Sequence, residues 1–163
     1  MKRIIIIGSP GSGKSTLSQK LSDKLRLPVV HLDKLWWKSG WVESSREEFD
    51  QKLDAVLNED KWIIDGNFSR TLPKRLERAD TVIFLDYPTL TCVYRVLKRI
   101  VTCRGKTRDD MAEGCPERFD LEFLKYVFSF RKKNRDKILS LLEGANDKKI
   151  IVIRNNLELE KLV

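Results

Sequence analysis

Short apolar runs alternate along this chain with segments in which apolar residues recur every three or four positions. The apolar runs rich in β-branched residues are Arg3–Ile7, Pro28–Leu32, Lys61–Asp65, Thr81–Asp86 and Lys149–Ile153. We predict that each run is a β-strand and that the segments between them are helices. Strands that alternate with helices favour a parallel sheet covered on both faces, with ligands bound at the carboxyl ends of the strands. The predicted fold class is therefore α/β.

The helical segments carry apolar stripes and start signals. In the first of them, Leu17, Leu21 and Leu25 lie on one face. Ser45 begins a capping box with the glutamate three positions later, a pattern typical of a helix N-terminus. A longer helix is predicted to begin near Pro88. Its predicted apolar face consists of Leu90, Val93, Tyr94, Leu97, Ile100 and Val101.

Two stretches interrupt this alternation. Residues 33–45 contain Trp36, Trp37 and Trp41 in a glycine-containing loop. Such a cluster either stabilises a small subdomain or stacks on a planar substrate or nucleic-acid base, and both alternatives stay open. Residues 102–118 are polar and contain glycines and a proline, so we predict a loop or lid there.

A complete phosphate-binding motif, G-x-x-x-x-G-K-S, follows the first strand and opens the first helix. Glycines let successive backbone N–H groups of such a loop face one anion at a helix N-terminus. Lys14 then supplies a positive charge to the β- and γ-phosphates, and the Ser15 hydroxyl is a magnesium ligand. We therefore predict that the chain binds ATP with Mg²⁺. The predicted nucleotide-binding residues of this loop are Gly8, Ser9, Pro10, Gly11, Ser12, Gly13, Lys14, Ser15 and Thr16.

The composition is typical of a globular protein with one domain. The chain has 163 residues, of which 41% are hydrophobic and 34% are charged. No apolar run reaches the roughly 18 residues of a membrane span, and we expect no signal peptide at the N-terminus. The 3 cysteines, an odd number without close spacing, favour a reducing cytoplasm and argue against a zinc site. We predict a cytoplasmic protein with no membrane partner.

The positive charge is concentrated in one part of the chain. The formal net charge is +8, and residues 95–137 contain 13 basic and 7 acidic residues, a surplus of +6. A cationic surface of this kind attracts nucleic acid or membrane phosphate. It serves equally well as a clamp over a triphosphate, and composition does not separate these alternatives.

Aspartates stand at or just after the carboxyl ends of three predicted strands. Asp65 is our predicted magnesium ligand, acting through bound water, although a turn aspartate gives the same pattern. Asp86 competes for that role, but the Asp-Tyr-Pro that it begins also looks like a helix start. Asp33 is predicted to orient or deprotonate an acceptor hydroxyl, or else to cap the next segment. His31 is interpreted as a strand residue.

Two arginines fall where apolar residues are expected. In a helix over roughly 120–142, Arg131 and Arg135 share a stripe with apolar residues that we expect to face the core. The apolar members of this stripe are Leu124, Phe128, Ile138 and Leu142. Buried guanidinium groups need an anionic partner, which is either an Asp or Glu carboxylate or a phosphate group.

Further arginines are grouped around the predicted lid, at Arg95, Arg99, Arg104 and Arg108. Each alone is compatible with a solvated surface charge, but together they resemble a cage that closes on the transferring phosphoryl group and excludes water. We predict that Arg99 binds the nucleotide. The predicted catalytic residues are Lys14, Asp33, Arg104, Arg108, Arg131 and Arg135.

With these residues in view, the chain resembles the adenylate-kinase-like family of nucleoside and nucleotide kinases. The family pattern of apolar strand, Asp-Gly-Phe-Pro and Arg is similar to residues 62–70, with one extra residue and Ser69 in place of proline. The helix end that leads into the family's lid is similar to residues 98–101. The resemblance implies a three-layer α/β/α P-loop fold with a five-stranded parallel sheet, order 2-3-1-4-5, and a small lid. It implies that Arg70 binds the acceptor and that the loop around Arg154 lies near the donor base.

A bacterial subgroup, the topology modulation proteins, is more similar still. The resemblance rests on His31-Leu32-Asp33, the tryptophan cluster and Asp65-Gly66-Asn67. Residues 33–60 are shorter than the usual monophosphate-binding insertion of adenylate kinases, and are closer to the compact acceptor sites of shikimate or gluconate kinases. This strengthens Asp33 as a ligand of an acceptor hydroxyl, and Trp36 is predicted to bind the substrate beside it.

The predicted function is that of a P-loop kinase with one domain over residues 1–163, an acceptor segment at about 33–60 and a lid at about 102–118. It moves the γ-phosphoryl group of ATP to a small-molecule acceptor that the sequence does not identify. The alternative is an ATP-binding regulatory or DNA-associated protein that hydrolyses ATP slowly. A nucleic-acid partner is less favoured because no DNA-binding motif is evident, and the oligomeric state is left open.

Overall fold

The computed structural model describes residues 1–162, in which strands and helices alternate as predicted; the last residue of the predicted domain lies outside this range. The strands of this part are β1 Arg3–Gly8, β2 Val29–His31, β3 Trp37–Lys38, β4 Val42–Glu43, β5 Trp62–Asp65, β6 Thr81–Leu85 and β7 Lys149–Ile153. The α-helices are α1 Lys14–Leu25, α2 Leu32–Trp36, α3 Arg46–Leu57, α4 Leu72–Arg78, α5 Thr89–Thr102, α6 Leu121–Glu143 and α7 Asn156–Glu160. Each strand predicted from an apolar run is present, within one residue at either end.

Strands β1, β2, β5, β6 and β7 form a parallel sheet in the order β2-β5-β1-β6-β7. Counted in chain order within this sheet alone, that order reads 2-3-1-4-5. The labels differ because β3 and β4 pair antiparallel in a separate hairpin. The prediction of a glycine-containing loop over residues 33–45 was wrong in part, because α2 and the hairpin occupy most of that range. Two-residue strands are too short for periodicity to reveal them.

The sheet is covered on both faces because successive residues of a strand point to opposite sides. Ile4 and Ile6 of β1 pack in one buried cluster with apolar residues of α1 and α5. Ile5 and Ile7 pack in a second cluster with apolar residues of α3 and α4. The predicted three-layer α/β/α class is confirmed, and the carboxyl ends of the strands are left as the edge where a ligand site can form.

Side-chain caps begin three helices of residues 1–162, namely α3, α6 and α7. The Ser45 hydroxyl accepts a hydrogen bond at 3.1 Å from the N–H three residues later and starts α3, as predicted. Asp120 caps α6 in the same way, at 3.0 Å. Helix α5 begins after Pro88, so Asp86 does not take part in its start. In residues 1–162, no helix combines the length and the apolar character that crossing a membrane requires.

Two predicted apolar faces were wrong in part. Helix α5 buries Cys92, Val96 and Ile100. The exposed members of its predicted stripe are Leu90, Tyr94, Leu97 and Val101. In α6, Phe128 is exposed although the predicted stripe included it. The apolar arc of α5 is wider than the part that packs on the sheet, so contact with the sheet decides which of its apolar residues are buried.

Candidate active site

The loop between β1 and α1 lies at the carboxyl end of the central strand of the sheet. Its glycines adopt conformations that other residues rarely tolerate: φ is 80° at Gly11 and 97° at Gly13. A Cβ on Gly11 would also stand 2.5 Å from the Cys92 carbonyl oxygen of α5. Residues 8–16 therefore curl tightly at the N-terminus of α1, where backbone N–H groups are available to an anion.

Lys14 begins α1, and its ammonium group folds back over the loop. Its Nζ donates hydrogen bonds to the backbone carbonyls of Gly8 at 3.0 Å and Ser9 at 3.1 Å. Burial lowers the pKa of Lys14, while the carboxylates of Asp65 and Asp33 act in the opposite direction. A phosphate group in the loop would give this buried ammonium a negatively charged hydrogen-bond partner.

A cavity of about 980 Å³ opens beside the phosphate-binding loop. Asp33 and Asp65 contribute to its wall at the strand ends. The tryptophans that line it are Trp36, Trp37 and Trp41. The lid residues that line it are Arg108, Asp110, Met111, Glu117 and Arg118. This volume lies within the range of roughly 300–1,000 Å³ that is typical of small-molecule sites.

The strand-end acids have different surroundings. Asp65 is buried at the end of β5, and its Oδ2 is 2.9 Å from Nδ1 of His31, the last residue of β2. Asp33 follows β2 in the first turn of α2 and is partly buried in the cavity wall. Burial raises the pKa of Asp33; Lys14 opposes this shift, and Asp65 and Asp110 add to it. A carboxylate with a raised pKa beside a cavity is well suited to accept a proton from a hydroxyl group.

Ion pairs hold the lid between α5 and α6. The buried carboxylate of Glu117 has its Oε2 3.1 Å from Arg99 Nε and 2.9 Å from Arg108 Nε. Arg108 also donates through Nη1 to Asp110 Oδ2 at 2.9 Å. The same oxygen accepts a hydrogen bond from the Ser15 hydroxyl at 2.6 Å. The network therefore connects the lid to the first turn of α1.

The lid also packs on the β3–β4 hairpin. The Cys115 thiol donates to the Lys38 carbonyl at 3.2 Å. The Arg118 guanidinium lies 5.0 Å from the centre of the Trp41 ring, a cation–π distance. In the structure the tryptophan cluster thus both builds the hairpin and lines the cavity, so neither of the two alternatives for it is eliminated.

Arg131 and Arg135 meet a carboxylate rather than the cavity. Arg131 Nε is 3.0 Å from Asp86 Oδ1, and Arg135 Nε is 2.9 Å from Asp86 Oδ2. The Asp86 side chain is fully buried beneath them. Arg154 Nε lies 4.0 Å from the same carboxylate. The anionic partner of these arginines in the structure is thus a carboxylate, one of the two predicted alternatives. Their contacts with the phosphate groups of a nucleotide stay a prediction.

Arg104 and Arg70 also lie away from the walls of the large cavity. Arg104 is exposed, and its backbone pairs with Glu117. Arg70 forms a two-pronged ion pair with Asp50, at 2.9 and 2.6 Å. It lines a separate depression of about 200 Å³ that shares Trp36 with the large cavity. The roles of Arg104 on phosphate and of Arg70 on the acceptor stay predictions.

Two side chains fasten the phosphate-binding loop to its neighbours, and sequence analysis assigned neither a specific contact. Arg95 donates to the Ser12 carbonyl at 3.1 Å, and its guanidinium lies 4.5 Å from the centre of the Tyr87 ring. The Asn67 side chain accepts a hydrogen bond from the Gly8 N–H at 3.1 Å. Both bonds join residues far apart in the chain, and no local pattern indicates them.

Arg75 of α4 was missed altogether. Its side chain is fully buried and donates to the carbonyls of Gly66 at 3.0 Å and Phe68 at 3.2 Å, and also to that of Asn67. Burial lowers its pKa to about 9. The loop that it holds includes Phe68 at a φ of 34°, a strained value for a bulky residue. The signal was available, because Arg75 follows Leu72 by three positions on the apolar face of this helix.

The residues present fit a magnesium ion bound together with a nucleotide. In residues 1–162, no three His, Cys, Asp or Glu side chains are grouped as a metal site by themselves. Magnesium in a nucleotide complex needs less from the protein, because phosphate oxygens and water fill most of its positions. The Ser15 hydroxyl and the carboxylates of Asp33, Asp65 and Asp110 all line the cavity, so oxygen ligands are present.

Comparison with known proteins shows to which family the chain belongs. A family model described as an AAA domain matches residues 4–116. The adenylate kinase of Wigglesworthia glossinidia brevipalpis is 31% identical over 168 residues, which cover 90% of this chain and 74% of that protein. The chain belongs to the adenylate-kinase-like P-loop family. Its predicted family is therefore confirmed, while the likeness to topology modulation proteins stays a prediction.

Other adenylate-kinase-like relatives are more distant. The adenylate kinase of Encephalitozoon cuniculi is 28% identical over 136 residues, covering 69% of this chain and 72% of that protein. Three further relatives are matched over only 58–60% of their own length. The solved shikimate kinase of Bacteroides thetaiotaomicron superposes with a TM-score of 0.56 at 16% identity, covering 98% of this chain and 92% of that one. At this identity the likeness to shikimate kinase shows the fold alone.

Proposed function

We propose that this chain is an ATP-dependent phosphotransferase that moves the γ-phosphoryl group to a small acceptor. One observation carries the proposal: the phosphate-binding loop and Asp33 open into the same cavity of about 980 Å³. A triphosphate tail on the loop and an acceptor hydroxyl at Asp33 would meet inside it. The names of the relatives, which are adenylate kinases, support ATP as the donor.

On the donor side, the loop amides and Lys14 would bind the phosphates. Arg99 and Arg108 line the cavity and are already ordered by Glu117, so they would neutralise charge on the transferring group without reorganisation. Phosphoryl transfer depends mostly on such positioning and electrostatic stabilisation. The arginines on Asp86 meet that carboxylate through Nε, so a nucleotide would be bound through other guanidinium nitrogens.

On the acceptor side, Asp33 would accept the proton of the attacking hydroxyl, and Trp36 would cover the acceptor's apolar surface. A general base of this kind typically contributes about 10²–10⁴ in rate. Arg70 would bind an acceptor that extends into the smaller depression beside Trp36. The acceptor segment at about 33–60 and the lid at about 102–118 would then be parts of one domain.

Magnesium would be held directly by the Ser15 hydroxyl and, through water, by Asp65. When bound with ATP it supplies positive charge to the β- and γ-phosphates. The unpaired state of all three cysteines supports a reducing, cytoplasmic setting.

A regulatory or DNA-associated function is the weaker candidate. Within the basic segment 95–137, two arginines pair with Glu117 and two others pair with Asp86. Four of the 13 basic residues of this segment are therefore held by carboxylates inside the protein, which leaves fewer of them for a phosphate backbone.

The proposal is tested by screening nucleosides, nucleotides and small hydroxy compounds for ADP release above the acceptor-free rate. We expect at least one class to raise the rate, and Lys14→Ala to abolish the increase. A rate that no acceptor changes, together with a steep salt dependence of DNA binding that Lys14→Ala leaves intact, would favour the regulatory alternative instead.

A further inference from the structure

The hydroxyl of Ser15, the motif residue assigned to magnesium, donates a hydrogen bond to a carboxylate of the lid. Ser15 Oγ is 2.6 Å from Oδ2 of Asp110, which lies 95 residues further along the chain. Both residues line the large cavity. The lid therefore reaches the side chain that would bind the cation, not only the rim of the site.

Two of the three strand-end carboxylates, Asp65 and Asp86, have other partners. Asp65 is 2.9 Å from His31 Nδ1, and Asp86 is bound by two arginines of α6. Among the residues that the structure describes, the carboxylate hydrogen-bonded to the Ser15 hydroxyl is thus the one supplied by the lid.

A serine hydroxyl has one proton and two lone pairs. When its oxygen binds a cation, the proton has to point elsewhere, and a carboxylate acceptor fixes that direction. Such a hydrogen bond also makes the oxygen a better ligand, as the hydrogen-bond partners of metal ligands generally do. The observed bond from Ser15 to Asp110 can therefore persist with a cation bound, and it orients the lone pairs beforehand.

Asp110 is itself held in position. Arg108 Nη1 donates to the same carboxylate oxygen at 2.9 Å, and Arg108 Nε is 2.9 Å from Glu117 Oε2. The Asp110 carboxylate therefore accepts hydrogen bonds from both Arg108 and the Ser15 hydroxyl.

We propose that Asp110 is the positioning residue of the magnesium site and that the lid delivers it. The Ser15 hydroxyl is then oriented for Mg²⁺ with ATP only while the lid covers the cavity, so lid closure and completion of the cation site are one event. The inference rests on the proposed ATP-binding function and adds to it a carboxylate that the loop motif does not contain.

The test is a calorimetric titration of Asp110→Asn with ATP, once with Mg²⁺ and once with EDTA. For the wild-type chain we expect magnesium to increase the ATP affinity. For Asp110→Asn we expect the magnesium-dependent increase in ATP affinity to be about tenfold smaller than in wild type, as for other partners of metal ligands. The ATP affinity measured in EDTA should stay within about twofold of the wild-type value. The exposed neighbour Asp109 provides the matched control, because Asp109→Asn makes the same charge change and should keep the full increase.

A second comparison asks whether Asp110 acts through Ser15. In a Ser15→Ala background, Asp110→Asn should reduce the magnesium-dependent increase no further, because the bond that it removes is already gone. Full additivity of the two losses, or an unchanged increase in Asp110→Asn alone, would overturn the inference while leaving ATP binding intact. Absence of ATP binding by the wild-type chain would instead overturn the proposed function, and this inference with it.

Discussion

The backbone N–H of Gly40, at the turn of the β3–β4 hairpin, donates a hydrogen bond to the Gly114 carbonyl of the lid at 2.9 Å. Hairpin and lid are both walls of the large cavity, so this bond joins the part of the wall near Asp33 to the part near Ser15. Together with the contact of Cys115 with the hairpin, it joins the two walls at two points.

Substitution of Gly114 should loosen this junction. Gly114 has a φ of 76°, and an added Cβ would meet the Ser39 side chain, with its Cβ at 3.0 Å. We expect Gly114→Ala to accelerate hydrogen exchange of the Gly40 amide and to lower the free energy of unfolding by about 1–3 kcal/mol. Gly105→Ala is the control, because Gly105 has a similar φ of 74° and no atom within 4 Å of the added Cβ. Equal exchange of the Gly40 amide in both variants would contradict the role of this contact.

Arg75 should stabilise the protein far more than an ordinary helix arginine. Arg75→Met leaves buried carbonyls of the 66–68 loop without donors, so we expect the free energy of unfolding to fall by about 2–4 kcal/mol in urea titrations. ATP affinity should fall as well, because this loop carries Asn67 to the Gly8 amide. The exposed Arg78 of the same helix is the control, and Arg78→Met should change stability by less than about 0.5 kcal/mol. Similar losses in the two variants would refute the assignment.

Glu117 supplies negative charge to Arg99 and Arg108, as a bound phosphate group would also do. Glu117→Gln leaves Arg99 and Arg108 without this carboxylate, and we expect the free energy of unfolding to fall by about 2–3 kcal/mol. Tripolyphosphate or ATP should then raise the melting temperature of Glu117→Gln more than that of wild type, because the anion replaces the missing charge. The exposed Glu113 gives a control, Glu113→Gln, that should respond as wild type does. An equal or smaller gain in Glu117→Gln would count against an anion site at these arginines.

Asp33 should make stability depend on pH in a defined direction. Its pKa is raised in the folded chain, so the folded state keeps a proton that the unfolded state has lost, and wild-type stability falls as pH rises from the unfolded to the folded pKa. The stability of Asp33→Asn does not fall in this way, so its free energy of unfolding at pH 7 should exceed that of wild type. This margin should shrink as the pH falls below the raised pKa. Urea unfolding over a pH series measures this margin, and the exposed Asp60→Asn should show none. A constant margin for Asp33→Asn would contradict the raised pKa.

Local features of this protein could be predicted from its sequence. The strands are apolar runs of a few residues, and the phosphate-binding motif is contiguous, so each is encoded in neighbouring positions. The cap at Ser45 is equally local. Sheet order came from the family resemblance, because nothing in one strand specifies which strand lies beside it.

Contacts between distant segments could not be predicted in the same way. Helical periodicity places Arg131 and Arg135 on a stripe expected to face the core but does not show their partner. Both side chains stay partly exposed, at 40% and 30%, where they pair with Asp86. The bond from Ser15 to Asp110 spans 95 positions and has no signature in either segment. The predicted buried face of α5 included exposed residues because the apolar arc of that helix is wider than the part that packs on the sheet.

The most direct test of the account follows the phosphoryl group itself. The chain is incubated with magnesium and ATP labelled in the γ-phosphate, with and without pools of small hydroxy compounds and nucleotides, and the labelled products are separated. We predict that label becomes covalently attached to an organic acceptor, and that Lys14→Ala and Asp33→Asn both prevent it. Label found only in inorganic phosphate, formed at the same rate with and without acceptors, would contradict it.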